Sequence, residues 1–99
     1  MKNRLNSILI DPKDNVVTVT QQIAPGETIF WLQDGTEHSL ISGGIPAFHK
    51  AALKDMQPGD TIIKYGEVIA QATEFIPAGW LVHVNNCTDP KRSAGGKEP

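Results

Sequence analysis

Three proline turns, each set between apolar residues, limit most strongly how this chain can fold. They lie in residues 23–29 (IAPGETI), 56–62 (MQPGDTI) and 75–81 (FIPAGWL). Proline fixes φ at the second position of a type II turn and glycine accepts the positive φ of the third, so Pro-Gly explains the first two turns directly. The third, PAG, needs a shift of one residue or another turn type. Because the spacing is unequal, we predict recurring corners in one compact β fold and not a solenoid.

Short strands and one helix are expected between these corners. The helix is predicted for residues 47–56 (AFHKAALKDM), where alanine and leucine favour a helix and the following Pro-Gly ends it. Residues 5–10 and 15–20 alternate and are separated by the turn sequence DPKD, which predicts a hairpin. The other predicted strands are residues 29–32, residues 61–73 with a bend at Gly66, and residues 79–86.

Composition and charge limit the class of protein. Ninety-nine residues suit one domain, and 39% hydrophobic and 20% charged residues fit a soluble globular chain. A net charge of -2 gives no basic surface for nucleic acid. The single cysteine, Cys87, excludes an internal disulfide and favours a reducing compartment. The N-terminal apolar run is too short for a signal peptide or a membrane span, so we predict a cytoplasmic protein without membrane contact.

Three motifs in series support a resemblance to a known family. Residues 48–53 (FHKAAL) resemble a G-H-K-x-A-L pattern, and residues 63–72 (IKYGEVIAQA) resemble I-x-Y-G-x-x-I-G-x-A. Residues 76–86 (IPAGWLVHVNN) resemble I-x-x-G-x-W-V-H-x-H-N. In this order they resemble the small SAF-type domain of the altronate and galactarate dehydratase family, a domain that also occurs as a separate subunit in sulfolactate sulfo-lyase. The chain departs from the pattern at Phe48, which replaces a glycine, and at Asn85, which replaces a histidine.

The resemblance implies a fold and an enzyme made of a small and a large subunit. The fold is mostly β, a compact β-clip of SAF type, here with one or two short helices. We predict that this domain spans residues 1–87 and that residues 88–99 form a flexible tail. The implied protein is a small subunit that completes the site of a large catalytic subunit in a metal-dependent hydroxy-acid lyase. That enzyme eliminates water from a sugar acid, or sulfite from sulfolactate. The divalent metal, iron, is expected in the large subunit and none in this chain, and a homo-oligomer is left open.

Four residues are candidates for the site. Elimination from a hydroxy acid needs a base for the proton beside the carboxylate, and a cation or metal for the developing charge. His49 and His83 are the catalytic candidates, because imidazole exchanges protons near neutrality. Lys50, a point charge for a carboxylate, and Asn86 are the substrate-binding candidates. His83 and Asn85 supply too few donors for a transition metal, so no metal ligand is assigned.

The same residues also have structural interpretations. His49 could cap a helix or lie on the surface, His83 could be bonded to the backbone within a strand, and Lys50 could be a solvated helix residue. A second hypothesis for function follows: a stand-alone, non-catalytic β-clip module that binds a carbohydrate or a protein. Phe48 and Asn85, the departures from the family pattern, slightly favour it. A third hypothesis is a fragment of a longer dehydratase.

Overall fold

The computed structural model describes residues 4–89, and this part of the chain contains strands, turns and bends but no helix. The mostly β, SAF-like fold is thereby confirmed, and no helix in this range could cross a bilayer. The strands are β1 (Ser7–Ile8), β2 (Val16–Val19), β3 (Thr28–Gln33), β4 (Thr36–Ile41), β5 (Lys50–Ala52), β6 (Thr61–Lys64), β7 (Glu67–Ala72), β8 (Leu81–Val82) and β9 (Cys87–Thr88).

The strands form three antiparallel sheets. One sheet has the order β1-β2-β5-β8, the second is the hairpin β3-β4, and the third has the order β6-β7-β9. The predicted hairpin of the first two strands is confirmed by the pairing of Ser7 with Val19. In β9, Thr88 pairs with Gln71, so the sheet includes the first residue of the predicted tail. Residues 90–99 of that tail lie outside the described residues.

The helix predicted for residues 47–56 is wrong. Residues 50–52 form β5, in which Ala51 pairs with Val17 of β2 and with Leu81 of β8. Ala51 is fully buried between these neighbours. Alanine has a high helix propensity, but the backbone pairing of β5 with two strands overrides this local preference. No second short helix occurs in residues 4–89 either.

The final strand is also shorter than predicted. Residues 79–86 were expected to form one alternating strand, but β8 ends at Val82. The backbone N–H of Asn86 donates a hydrogen bond of 2.9 Å to the carbonyl of His83, which closes a turn. Chain direction therefore changes immediately after β8, and residues 83–86 form a loop that leads into β9.

Four equivalent type II turns connect the strands, one more than the sequence predicts. They span residues 24–27, 46–49, 57–60 and 77–80, and in each the last N–H donates to the first carbonyl. The third residue of each has a positive φ; these residues are Gly26, Phe48, Gly59 and Gly79. Pro77 occupies the first position of its turn instead of the second, which explains the apparent shift. The turn at 46–49 escapes prediction because Phe48 stands where the others have glycine.

These turns divide the structure into two similar halves. Residues 23–48 contain the hairpin β3-β4, and residues 56–79 contain the hairpin β6-β7. Each half is closed by one bridge, between Ile23 and Ile45 or between Met56 and Ile76. Both hairpin tips have positive φ at their two turn residues, Asp34-Gly35 and Tyr65-Gly66, as type I′ turns require.

Each half has its own apolar cluster. The first consists of Val17, Val19, Ile23, Ile29, Trp31, Ile45 and Ala51. The second consists of Val16, Ala52, Met56, Ile62, Ala70, Ala72, Ile76 and Val82. Strands β2 and β5 contribute to both clusters, because successive side chains of a strand point to opposite faces. These two strands therefore join the halves into one domain.

Two asparagines attach the N-terminal segment to the hairpins in the same way. Asn6 donates from Nδ2 to the carbonyl of Thr28 at 3.0 Å and accepts at Oδ1 from the N–H of Phe30 at 2.8 Å. Asn15 donates to Thr61 at 2.9 Å and accepts from Ile63 at 2.8 Å. Each amide thus replaces a neighbouring strand for two backbone groups, which would otherwise lack a partner in the ladder.

Candidate functional site

The two catalytic candidates, His49 and His83, lie side by side. Their ring centroids are 5.7 Å apart and the ring planes are inclined by 26°. The antiparallel register of β5 and β8 explains this contact, because it pairs Lys50 with Val82. His49 precedes Lys50 and His83 follows Val82, so the two histidines meet where the paired strands end. Both are half-buried. Their catalytic role stays a prediction.

A backbone carbonyl determines which nitrogen of His49 is free. Nδ1 lies 2.9 Å from the carbonyl oxygen of Ala47. A carbonyl can only accept a hydrogen bond, so we assign the proton of the neutral ring to Nδ1. Nε2 then carries the lone pair and is the atom of His49 that can accept a proton.

Asn86 fastens the loop that carries His83. Its Oδ1 accepts a hydrogen bond from the N–H of His83 at 2.9 Å, and its Nδ2 donates to the carbonyl of Leu81 at 2.8 Å. Its backbone carbonyl accepts from the N–H of Thr73 at 2.9 Å, which attaches the loop to the end of β7. This geometry gives Asn86 a positioning function for His83. Its predicted contact with substrate stays a prediction.

Lys50 follows His49 in the chain and places a positive charge on β5. It is half-buried on β5, between Thr18 of β2 and Val82 of β8. Within residues 4–89 no carboxylate forms a salt bridge with Lys50. An unpaired, partly desolvated ammonium attracts an anion more strongly than a fully solvated one. The role of Lys50 in binding a carboxylate stays a prediction.

The Cys87 thiol is held close to the His83 loop in an environment that disfavours its thiolate form. Burial raises its pKa above the ordinary thiol value, and the nearby charge of Lys50 opposes this rise. Its Sγ donates to the carbonyl of His83 at 3.1 Å. A thiol with a raised pKa is protonated at neutral pH and is a poor nucleophile or metal ligand.

Two apolar side chains stand next to the histidines along the chain. Phe48 and Val84 each expose 77% of their surface. Phe48 also has φ of +66°, a backbone conformation in which a bulky residue is uncommon. Both exposed apolar residues thus flank the two histidines in the sequence.

The described residues do not form a metal site on their own. No group of three or more His, Cys, Asp or Glu side chains within residues 4–89 is arranged to hold an ion. The His49–His83 pair offers two imidazoles, whereas a catalytic metal generally needs three protein ligands. An open groove of about 350 Å³, lined by residues that include Gln22, Gly44 and Leu81, contains none of the four candidates.

One element of the site was missed at the sequence level, namely the turn at residues 46–49 that presents Ala47 to His49. Its signal was present, because IPAF at residues 45–48 parallels IPAG at residues 76–79. A search restricted to glycine at the fourth position of this pattern overlooks it. The turn therefore adds the carbonyl of Ala47 to the four predicted side chains.

Comparisons with known proteins place the chain in a family. Residues 5–90 match the family model of the altronate/galactarate dehydratase SAF domain. The (2R)-sulfolactate sulfo-lyase subunit alpha of Chromohalobacter salexigens is 31% identical over 86 residues, which cover 83% of this chain and 92% of that subunit. The subunit of that name from Paracoccus pantotrophus is 46% identical over 43 residues, which cover 43% of this chain and 64% of that subunit. Altronate dehydratase of Bacillus subtilis is 33% identical over 79 residues, which cover 80% of this chain but only 15% of that enzyme.

Proposed function

This chain belongs to the family of altronate/galactarate dehydratase SAF domains, and on that premise we propose that it is the small subunit of a two-component hydroxy-acid lyase. The stacking of His49 on His83 is the main structural support, because it joins two sequence motifs into one site. Similarity to a protein that is itself named as a subunit, the alpha subunit of (2R)-sulfolactate sulfo-lyase, supports the two-component form.

The proposed reaction is an elimination that starts beside a carboxylate. A base removes the proton from the carbon next to the carboxylate, and the bond between the adjacent carbon and the leaving group breaks. The resulting enol then becomes a 2-oxo acid. Nε2 of His49 is the proposed base, because Nδ1 is already hydrogen-bonded to the carbonyl oxygen of Ala47. The leaving group is sulfite or water, since the relatives include a sulfo-lyase subunit and a dehydratase.

The remaining candidates have supporting roles in this proposal. Lys50 binds the substrate carboxylate through its charge, and His83 donates a proton to the leaving group or exchanges one with His49. Asn86 holds the His83 loop and remains a proposed substrate ligand. We also propose, as the resemblance to a metal-dependent lyase family implies, that the large subunit contains a divalent metal, iron. When bound there, such a metal would stabilise the negative charge of the enolate.

Reconstitution with the large subunit tests the proposal. The chain would be co-expressed with a large lyase subunit, and release of sulfite and formation of 2-oxo acid would be measured on sulfolactate and on sugar acids. His49→Ala and His83→Ala should each lower kcat by roughly 100-fold or more, as loss of a general acid or base does. Size-exclusion chromatography would verify that the variants still assemble.

A matched control is His38→Ala. This third histidine is exposed on β4, and its ring stacks on Trp31 with centroids 5.7 Å apart. It belongs to the hairpin β3-β4, whereas His49 and His83 lie next to β5 and β8. Its loss should leave turnover unchanged. Full turnover by the chain without any partner, or by a complex that lacks both His49 and His83, would refute the proposed role.

A stand-alone binding module is the second candidate function, and the exposed ring of Phe48 at a family glycine position is the observation that favours it. Calorimetric titration of the isolated chain with hydroxy acids separates the two. Tight binding without a partner supports the module, whereas binding only after the large subunit is added supports the lyase subunit.

We further propose that this chain and the large subunit are located in the cytoplasm. Cell fractionation would check this location.

A further inference from the structure

The turn at residues 46–49 is strained in a way that its three counterparts are not. Phe48 has φ of +66°, whereas the equivalent positions hold glycines with φ of +89°, +96° and +88°. A side chain at positive φ brings Cβ close to the following carbonyl, which glycine avoids. Burial does not compensate for this cost, because 77% of Phe48 is exposed. Such outliers persist only where the surrounding structure enforces them.

Two hydrogen bonds enforce the strained conformation, and both involve the peptide group between Ala47 and Phe48. The N–H of Phe48 donates to the carbonyl of Val19 at 2.9 Å. The carbonyl of Ala47 accepts from Nδ1 of His49 at 2.9 Å. A type I turn, which a non-glycine residue would prefer here, differs from a type II turn mainly by a rotation of this central peptide through roughly 150–170°. That rotation would break both hydrogen bonds.

We propose that the Ala47–Phe48 peptide is a positioning group for His49, and that the left-handed backbone of Phe48 directs the Ala47 carbonyl at the imidazole. The carbonyl keeps the neutral ring in the Nδ1–H tautomer and fixes its orientation, so that Nε2 is the basic atom. Phe48 acts in this through its backbone and not through its ring. The importance of this tautomer for proton removal rests on the proposed function, whereas the tautomer itself is a property of the chain alone.

Nitrogen-15 NMR of the full 99-residue chain, labelled at histidine, measures the tautomer directly without partner or substrate. The His49 resonances would be assigned by their loss in His49→Gln. The neutral His49 ring should show a protonated Nδ1 and an unprotonated Nε2. A neutral ring that is mainly Nε2–H would overturn the proposal. A failure of the lyase assay would leave this result untouched, so the two proposals fail separately.

Substitutions at Phe48 test the backbone mechanism. Phe48→Gly and Phe48→Ala should both keep the Nδ1–H tautomer, because glycine relieves the strain and alanine removes only the ring. Loss of the tautomer in the alanine variant would show that the ring does the positioning, against the proposal. Phe48→Val should lower the Nδ1–H fraction by about twofold or more, because a β-branched residue is least tolerated at positive φ. An unchanged tautomer in a folded valine variant would also overturn the proposal, and if that variant does not fold, the other two measurements decide.

Tyr65→Val is the matched control. Tyr65 is the other exposed aromatic residue with positive φ, +59°, and it lies at the tip of the hairpin β6-β7. The same substitution there introduces the same kind of strain in a different turn. His49 should keep its Nδ1–H tautomer in Tyr65→Val, and a shift equal to that of Phe48→Val would overturn a specific role for residue 48.

Discussion

Phe48 and Gly79 occupy the same position of two equivalent turns, with φ of +66° and +88°. In both, the N–H of this residue donates to a neighbouring strand, at Val19 or at Ala52. Both positions therefore need a positive φ, but only position 79 is occupied by glycine. The surroundings differ, because a Cβ at position 79 would meet the carbonyl oxygen of Ile41 whereas the Phe48 side chain is exposed.

Phe48→Gly should stabilise the chain by about 1 kcal/mol. Relief of a left-handed non-glycine backbone contributes roughly 1–2 kcal/mol, and the greater chain entropy of unfolded glycine removes about 0.5–1 kcal/mol of this. Urea unfolding followed by tryptophan fluorescence gives the free energy of unfolding. The reverse change, Gly79→Ala, should destabilise strongly, because its Cβ would overlap the carbonyl oxygen of Ile41. A Phe48→Gly variant less stable than the parent chain would contradict the assignment of strain.

Asn6→Ala and Asn15→Ala should each lower the free energy of unfolding by about 1–3 kcal/mol, the usual cost of leaving backbone groups without hydrogen bonds. Asn6 serves two groups of β3, including the N–H of Phe30, and Asn15 serves two groups of β6, including the N–H of Ile63. Similar values for the two variants are expected from their similar geometry. Exposed Asn85→Ala is the control and should change stability by less than about 0.5 kcal/mol. Neutral effects at Asn6 and Asn15 would argue against these attachments.

Gly43→Ala should destabilise by about 1–3 kcal/mol through overpacking. The indole of Trp80 lies on Gly43, and an added Cβ would overlap its ring atoms. Trp80 fluorescence should shift as the ring moves toward solvent. Adding Trp80→Leu should recover part of the loss, since a double-mutant cycle detects contact between two positions. Additive effects in the cycle would mean that the two residues do not touch.

The hairpins could be predicted from the sequence because their determinants are local. Tyr65-Gly66 and Asp34-Gly35 each lie between two strand segments, and a glycine at the second turn position suits a type I′ turn. The Pro-Gly corners at residues 25–26 and 58–59 were predictable for the same reason. The helix at residues 47–56 was predicted wrongly because the pairing of β5 with β2 and β8 is non-local, and local propensity contains no information about it.

The residues of the candidate site could be predicted from the sequence, but their geometry could not. His49 and His83 are expected in one site, but their stacking depends on the register that pairs Lys50 with Val82. Asn86 can hold the His83 loop by hydrogen bonds only because β8 ends at Val82. The alternating pattern suggests a strand that is four residues longer. Both features arise from pairing across the sheet.

Cys87 should react slowly with iodoacetamide in the folded chain, and Lys50→Met should slow the reaction further. Burial raises the thiol pKa and the charge of Lys50 opposes this, so removing the charge raises the pKa again and reduces the thiolate fraction. The pKa of the Cys87 thiol is higher in the folded chain than in the unfolded chain. The free energy of unfolding that the thiol contributes is therefore complete below the unfolded pKa and is lost as pH rises through the folded pKa. Alkylation rates of the parent chain and of Lys50→Met would be measured at several pH values, with Cys87→Ser as the blank, and the parent chain should react faster. Faster alkylation in Lys50→Met would show that Lys50 shields the thiol instead of acting on it by charge.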